Sequence, residues 1–168
     1  MKPVITNYWK WKGKEYRFDI YTIDSFSTLE NIKQVYGFVL NEDRTKTIIV
    51  KRNNGMYLLP GGGVEEGEKP EETLIREIKK ESNRDIKIET AKPLYYQKMY
   101  LKDEQGEYIE QPGLQVRYSV IVKNDNEFIH DPDNGDIVEA FWVDIKDIDK
   151  YLDWGDTAIL IKNLLLNE

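Results

Sequence analysis

Apolar and polar residues alternate near the start of the chain. Trp9 and Trp11 share one face before Lys12-Gly13-Lys14, and Tyr16, Phe18 and Ile20 share one after it. This period of two around a glycine turn predicts a hairpin within residues 1–24, an extension ahead of the main pattern. It reads as a pair of strands covering the core, or as an aromatic arm that stacks on a substrate or pairs with a second copy, because Trp and Tyr carry much of the binding energy at interfaces.

Further strands are predicted over 34–40 and 47–52, both rich in β-branched and aromatic residues and divided by the polar turn Asn41-Glu42-Asp43-Arg44. Asn53-Asn54-Gly55 breaks the second. After Pro60 no regular element is expected until a helix opens near Pro70 and runs to Ser82. Extended segments follow over 85–90 and 94–101, then a turn over 102–107, a strand over 114–123 and another over 137–143 whose Trp142 is expected in the core. Residues 157–166 are apolar almost all round, which predicts a terminal helix packed on the sheet or on a second subunit. Strands interleaved with one internal and one terminal helix point to an α/β class, a mixed β-sheet layered as α/β/α.

The helix over 70–82 carries the candidate chemistry. Each residue advances roughly 100°, so Glu77 and Glu81 project from one face and their carboxylates can converge on one cation. Leu74, Ile75 and Ile78 form the adjoining apolar stripe that docks the helix on the sheet. Arg76 stands four residues after Glu72, a favourable helix pair, and is also in reach of Glu68 at the end of the preceding loop. In that loop Gly61, Gly62 and Gly63 allow close backbone approach, so that carbonyls or amides can face a metal or a phosphate. Taken singly, the helix also reads as a solvated acidic surface and the glycines as a plain turn.

Composition narrows the possibilities. A chain of 168 residues fits one domain over 1–168. It contains no cysteine and one histidine, which removes disulfides, thiolate catalysis and multi-histidine metal sites. His130, in Phe128-Ile129-His130-Asp131-Pro132, reads as a surface turn residue. The formal charge of −7 argues against a protein that coats a nucleic acid backbone, and an acidic protein handling phosphates needs a metal ion to offset repulsion. No apolar run approaches the roughly 18 residues of a membrane span, and Met1-Lys2-Pro3-Val4-Ile5-Thr6 lacks a signal-like apolar core, so the expected address is the cytoplasm.

Gly62, Glu68 and Arg76-Glu77-Ile78 followed by Glu81 stand in a spacing that resembles the Nudix box. Leu59-Pro60-Gly61-Gly62, the strand over 47–52 and Glu139-Ala140-Phe141-Trp142-Val143 resemble the family's usual flanks. The likeness covers residues 34–166. It implies a Nudix-like α/β/α sandwich and a hydrolase that cleaves a nucleoside diphosphate linked to another group, using Mg2+ or Mn2+ and an activated water. It further implies that Glu77 and Glu81 are catalytic and serve the metal, that the Gly61 carbonyl is a further ligand, and that Arg76 and Glu68 brace the loop. The partner is then a nucleotide or another diphosphate-containing small molecule, with no membrane and with a homodimer as one assembly.

Three positions depart from the family pattern: Lys80 where a glutamate is usual, Asn83 where a small residue ends the helix, and Arg84 where an apolar residue follows. Asparagine can supply the left-handed cap, and Arg84 is expected at an exposed edge. Lys80 places a positive charge three residues from Glu77, where it competes with a cation. It lowers the expected activity and opens the alternative of a Nudix-fold nucleotide-binding or regulatory protein without turnover. Glu65, Glu66, Glu110 and Glu139 are substitutes for the missing carboxylate, and the general base stays open. Substrate-binding residues are not identified; Tyr95, Tyr96, Tyr100, Tyr108 and Tyr118 are candidates to stack on a base or to fill the core.

Overall fold

The computed structural model describes residues 1–130 and 135–167. Its strands are β1 (Ile5–Trp11), β2 (Lys14–Thr22), β3 (Ile32–Leu40), β4 (Lys46–Arg52), β5 (Tyr57–Leu58), β6 (Gly61–Gly63), β7 (Asp85–Lys102), β8 (Tyr108–Glu110), β9 (Leu114–Asn124) and β10 (Ile137–Asp144). The helices are α1 (Pro70–Ser82) and α2 (Asp156–Leu166), with a 3-10 turn over Ile145–Lys150. The sheet runs β1-β2-β7-β9-β3-β4-β10, and the short strands β5, β6 and β8 pair with β4, β3 and β7. The β3–β9 pair is parallel and the remaining pairs are antiparallel, so the sheet is mixed as expected. Among the described residues no helix is long and apolar enough to cross a membrane.

Alternation along the central strands divides the core between the two faces. Val35, Val39, Val116 and Val120 pack with Leu74 and Ile78 of α1. Phe38, Leu40, Ile49 and Tyr95 pack with Ile148, Ile161 and Leu165 on the other side. Strands buried on both faces read as continuous apolar runs, as in Val120 to Val122. Gly37 sets how close α1 comes, since a Cβ there would lie 2.9 Å from Leu74 Cδ1 and 3.0 Å from Ile78 Cδ1. Ile75 does not join this stripe: one step of about 100° from Leu74 turns it outward, where it is 44% exposed.

Several expectations are corrected. The segments 85–90 and 94–101 are one strand, β7, carrying a bulge: the chain advances from Lys87 to Lys92 while β9 advances only from Ile121 to Ser119. Thr90 closes the bulge, its hydroxyl accepting the Ile121 N–H at 2.9 Å and donating to the Lys87 carbonyl at 2.6 Å, and Pro93 sits beside it at another register shift. The glycine run after Pro60 is the strand β6, with Gln34, Val35 and Tyr36 opposite Gly63, Gly62 and Gly61. Trp142 is half-buried rather than central, its indole N–H donating to the Asp125 carboxylate at 3.0 and 3.1 Å. Arg84 is buried, 6% exposed, instead of marking an edge: its guanidinium pairs with Asp125 at 3.0 Å and donates to the Ser82 carbonyl at 3.0 Å. Asn83 does take the left-handed conformation, at φ 58°, and caps α1 through its N–H to Lys79 O. His130 is exposed and outside any strand or helix, while the Asp131 and Pro132 of its predicted turn lie outside the described residues.

The hairpin of β1 and β2 extends the sheet through β2–β7 pairing from Tyr16↔Leu101 to Thr22↔Tyr95. Asn7 donates to the Thr157 hydroxyl, linking β1 to α2. The terminal helix packs on the sheet face through Ala158, Ile161 and Leu165, whereas Ile159 and Leu166 are exposed.

Candidate active site

Pro70 opens α1 with a preset backbone angle, and Glu72 reaches back to accept the Lys69 N–H at 3.1 Å. Glu72 therefore caps the helix and does not serve as the Arg76 partner expected from helical spacing. Arg76 turns to the loop. Its Nε and Nη2 grip both oxygens of Glu68 at 2.7 and 2.9 Å, Nη2 donates to the Gly63 carbonyl at 2.9 Å, and Nη1 donates to Glu77 Oε1 at 2.6 Å. Thr73 adds a hydroxyl donor to Glu68 at 2.5 Å. These contacts hold the Glu68 carboxyl at about 2, well below the ordinary range, with the Arg76 hydrogen bonds as the main cause. Arg76 thus joins the end of the loop, through Glu68 and the Gly63 carbonyl, to α1.

Glu77 and Glu81 both lie against β6. Glu77 is buried and touches Gly62 so closely that a Cβ there would meet its carboxyl carbon at 2.7 Å. Glu81 Oε1 accepts the Gly61 N–H at 2.8 Å. A side chain at Gly61 would collide with the Val35 carbonyl and with Tyr36. Glycine is needed at 61 and 62 for this close approach rather than for a turn. Burial pushes the Glu81 carboxyl up to about 7; the Gly61 N–H opposes that, the neighbouring Glu77 adds to it, and Lys80 and Arg52 pull the other way.

Two carboxylates that repel each other in a desolvated corner, with a backbone strand alongside, fit a hard divalent cation, which would relieve that repulsion through oxygen donors alone. Among the described residues no group of three or more His, Cys, Asp or Glu side chains is arranged to hold a metal. Glu65 is exposed, 3.7 Å from Arg76 Nη1, and Glu66 is exposed. Glu110 pairs with Lys98 at 3.5 Å on the β7–β8 hairpin, and Glu139 stands exposed on β10 opposite Lys51.

A cavity of about 710 Å3 opens on the α2 face of the sheet, reaching Tyr36 and Leu59 beside the glycine strand. That volume suits a small-molecule ligand. Its rings come from Tyr8, Trp9, Phe18, Tyr36, Tyr57, Tyr151 and Trp154; Trp9 and Phe18 belong to the predicted aromatic arm, and none is among the five tyrosines singled out from the sequence. Tyr95, Tyr96 and Tyr118 are buried core residues, Tyr96 stacked on Tyr21 and Tyr118 edge-on to Phe26. Tyr100 and Tyr108 instead flank Arg17.

The floor of the cavity was not visible in the sequence. Gln34, Gln115 and Gln97 form one cross-strand row over β3, β9 and β7, and Tyr36, Arg117 and Tyr95 form the next. Arg117 is 6% exposed, with its guanidinium 4.7 Å from the Tyr36 ring and 5.6 Å from that of Tyr95. Burial raises the Tyr36 hydroxyl above its ordinary pKa; the Arg117 charge opposes this, and Glu81 and Glu77 reinforce it. Tyr36 lines the cavity and pairs with Gly61, whose N–H donates to Glu81.

Among solved structures, the fold is similar to the pyrophosphohydrolase BsRppH of Bacillus subtilis, at 18% identity over 82% of this chain and 77% of that one, with a TM-score of 0.57. The mutator MutT protein of Bacillus halodurans matches at 17% identity over 79% and 80%, also with a TM-score of 0.57. A C. elegans Ap4A hydrolase in a binary complex matches at 14% identity over 81% and 96%, again at 0.57. These identities speak for the fold alone. No curated protein matches the chain. The family model of the NUDIX domain matches residues 31–164, which leaves outside it residues 1–30, with the β1–β2 hairpin, and 165–168, and on that match the chain belongs to the NUDIX family.

Proposed function

We propose that this protein is a cytoplasmic, metal-dependent hydrolase of a nucleoside diphosphate linked to another group, cleaving the phosphoanhydride by an activated water. The observation that carries this reading is the convergence of Glu77 and Glu81 on the glycine strand β6, whose Gly61 pairs with Tyr36, a residue lining a ligand-sized cavity. Glu77, Glu81 and the Gly61 carbonyl would hold Mg2+ or Mn2+, which supplies polarisation of the phosphoryl oxygens and a lowered water pKa. Arg76 and Glu68 hold the loop against the helix, so the two carboxylates keep their spacing as substrate enters. Of the pair, Glu81 is the one whose carboxyl burial raises, to about 7, in the metal-free protein; a cation held there would favour its ionised form.

One observation favours a second reading, nucleotide binding without turnover. Glu77 is already engaged by Arg76 at 2.6 Å, and Lys80 adds a positive charge on the same helix. A panel of nucleoside diphosphate derivatives assayed with Mg2+ and with Mn2+ separates the two. Product release from at least one member supports the hydrolase. Binding by calorimetry with no release across the panel supports the second reading instead, and neither binding nor release sinks both.

A further inference from the structure

The Arg117 guanidinium is enclosed yet incompletely matched. Nε and Nη1 are shielded from solvent and have no hydrogen-bond partner, and Nη2 makes one long bond, 3.3 Å, to Gln115 Oε1. That oxygen is already taken by Gln97 Nε2 at 2.8 Å. The buried Tyr95 hydroxyl beside it has Arg117 itself as its polar neighbour. Tyr36 and Tyr95 offer ring faces, but cation–π contacts are worth far less than the solvation a buried charge gives up. Among the described residues, Arg117 and the exposed Asp153 are the only charged ones lining the cavity. A buried, unmatched polar group in a native fold calls for a missing partner.

We infer that Arg117 is the anion receptor of the cavity and takes a phosphate oxygen of the bound nucleotide. The three glutamines of the neighbouring row surround the sugar–phosphate, and Trp9, Tyr151 and Trp154 face the base. This deepens the hydrolase reading and rests on it for the identity of the ligand as a nucleotide. It also gives the cavity a direction: the phosphate end lies at Tyr36, next to the carboxylates, and the ring end lies under the β1–β2 hairpin. The charge of the ligand is then shared between two places, Arg117 and the cation corner.

The test is binding without turnover. Calorimetry at pH 7 without metal, on the full chain, compares the four nucleoside 5′-monophosphates with their nucleosides, and pyrophosphate alone. The native protein should bind at least one monophosphate about 10- to 100-fold more tightly than its nucleoside, the scale of a charge-assisted hydrogen bond. Arg117→Met should reduce that ratio to about one while leaving nucleoside affinity unchanged, and Arg117→Lys should restore part of it; thermal melts confirm that each variant is folded. In hydrolysis assays Arg117→Met should raise KM with kcat nearly unchanged. A native ratio in Arg117→Met, or no preference for phosphate in the native protein, overturns the inference. If hydrolysis is absent but the Arg117-dependent preference persists, the hydrolase reading fails and the anion receptor stands.

Discussion

Two arginines, Arg76 and Arg117, lie on either side of the same short stretch of β3 and β6, and they are treated in opposite ways. Arg76 has its donors matched by Glu68, Glu77 and the Gly63 carbonyl before any ligand arrives. Arg117 is more deeply buried and keeps two nitrogen atoms unmatched. The first arrangement makes a rigid corner that sets two carboxylates against a strand. The second leaves donors of a buried guanidinium unmatched at the wall of a cavity, the demand that a bound anion would meet. A preformed corner beside an unsatisfied pocket is the division expected where one part of a site performs chemistry and the other selects the molecule.

Several outcomes would break or sharpen that contrast. The largest effect on stability should come from Arg76→Ala, which strands the buried Glu77 carboxylate: a loss of about 3 kcal/mol in urea unfolding, with proteolysis appearing first in the loop over residues 64–69. Next is the pH dependence of the metal-free protein. Because the Glu81 carboxyl is raised in the folded state to about 7, the native state binds more protons than the unfolded chain above the ordinary value of 4.5. The stability it contributes is complete below that value and is lost as pH rises through 7. The span should be about 2–3 kcal/mol, and Glu81→Gln should flatten it and raise the melting temperature at pH 8.

Gly62→Ala should cost about 1–2 kcal/mol, because the new Cβ drives the Glu77 carboxylate off β6; denaturation and turnover measured together should show activity falling further than stability. The smallest effect belongs to the cavity. Arg117→Met should change unfolding stability by less than about 1 kcal/mol, or raise it, since removing an unmatched buried charge relieves desolvation. A loss comparable with that of Arg76→Ala would show that Arg117 is structural.

What could be read from the sequence follows from how far apart the cooperating residues lie. Gly62, Glu68, Arg76, Glu77 and Glu81 fall within one loop and one helix, so helical geometry and spacing suffice to bring them together. The α1 boundaries and the left-handed Asn83 were legible for the same reason. The cavity was not: it joins β1, β2, β3, β5, β7, β9 and the segment before α2, and its floor exists only because β3 and β9 run parallel in one register. No local pattern marks Arg117 in Val116-Arg117-Tyr118, where a charge between two apolar residues looks like the solvent side of a strand. Arg84 misled in the opposite sense, since the Asp125 that makes its burial tolerable lies 41 positions away.

The most direct measurement is product release from the responsive nucleoside diphosphate derivative with saturating Mg2+ at pH 7.5, native protein against Glu81→Gln. A drop on the order of a hundredfold or more, in a variant that melts no lower than the native protein, is the predicted result. Turnover undiminished in Glu81→Gln would contradict the assignment of the Glu77–Glu81 corner as the hydrolytic site.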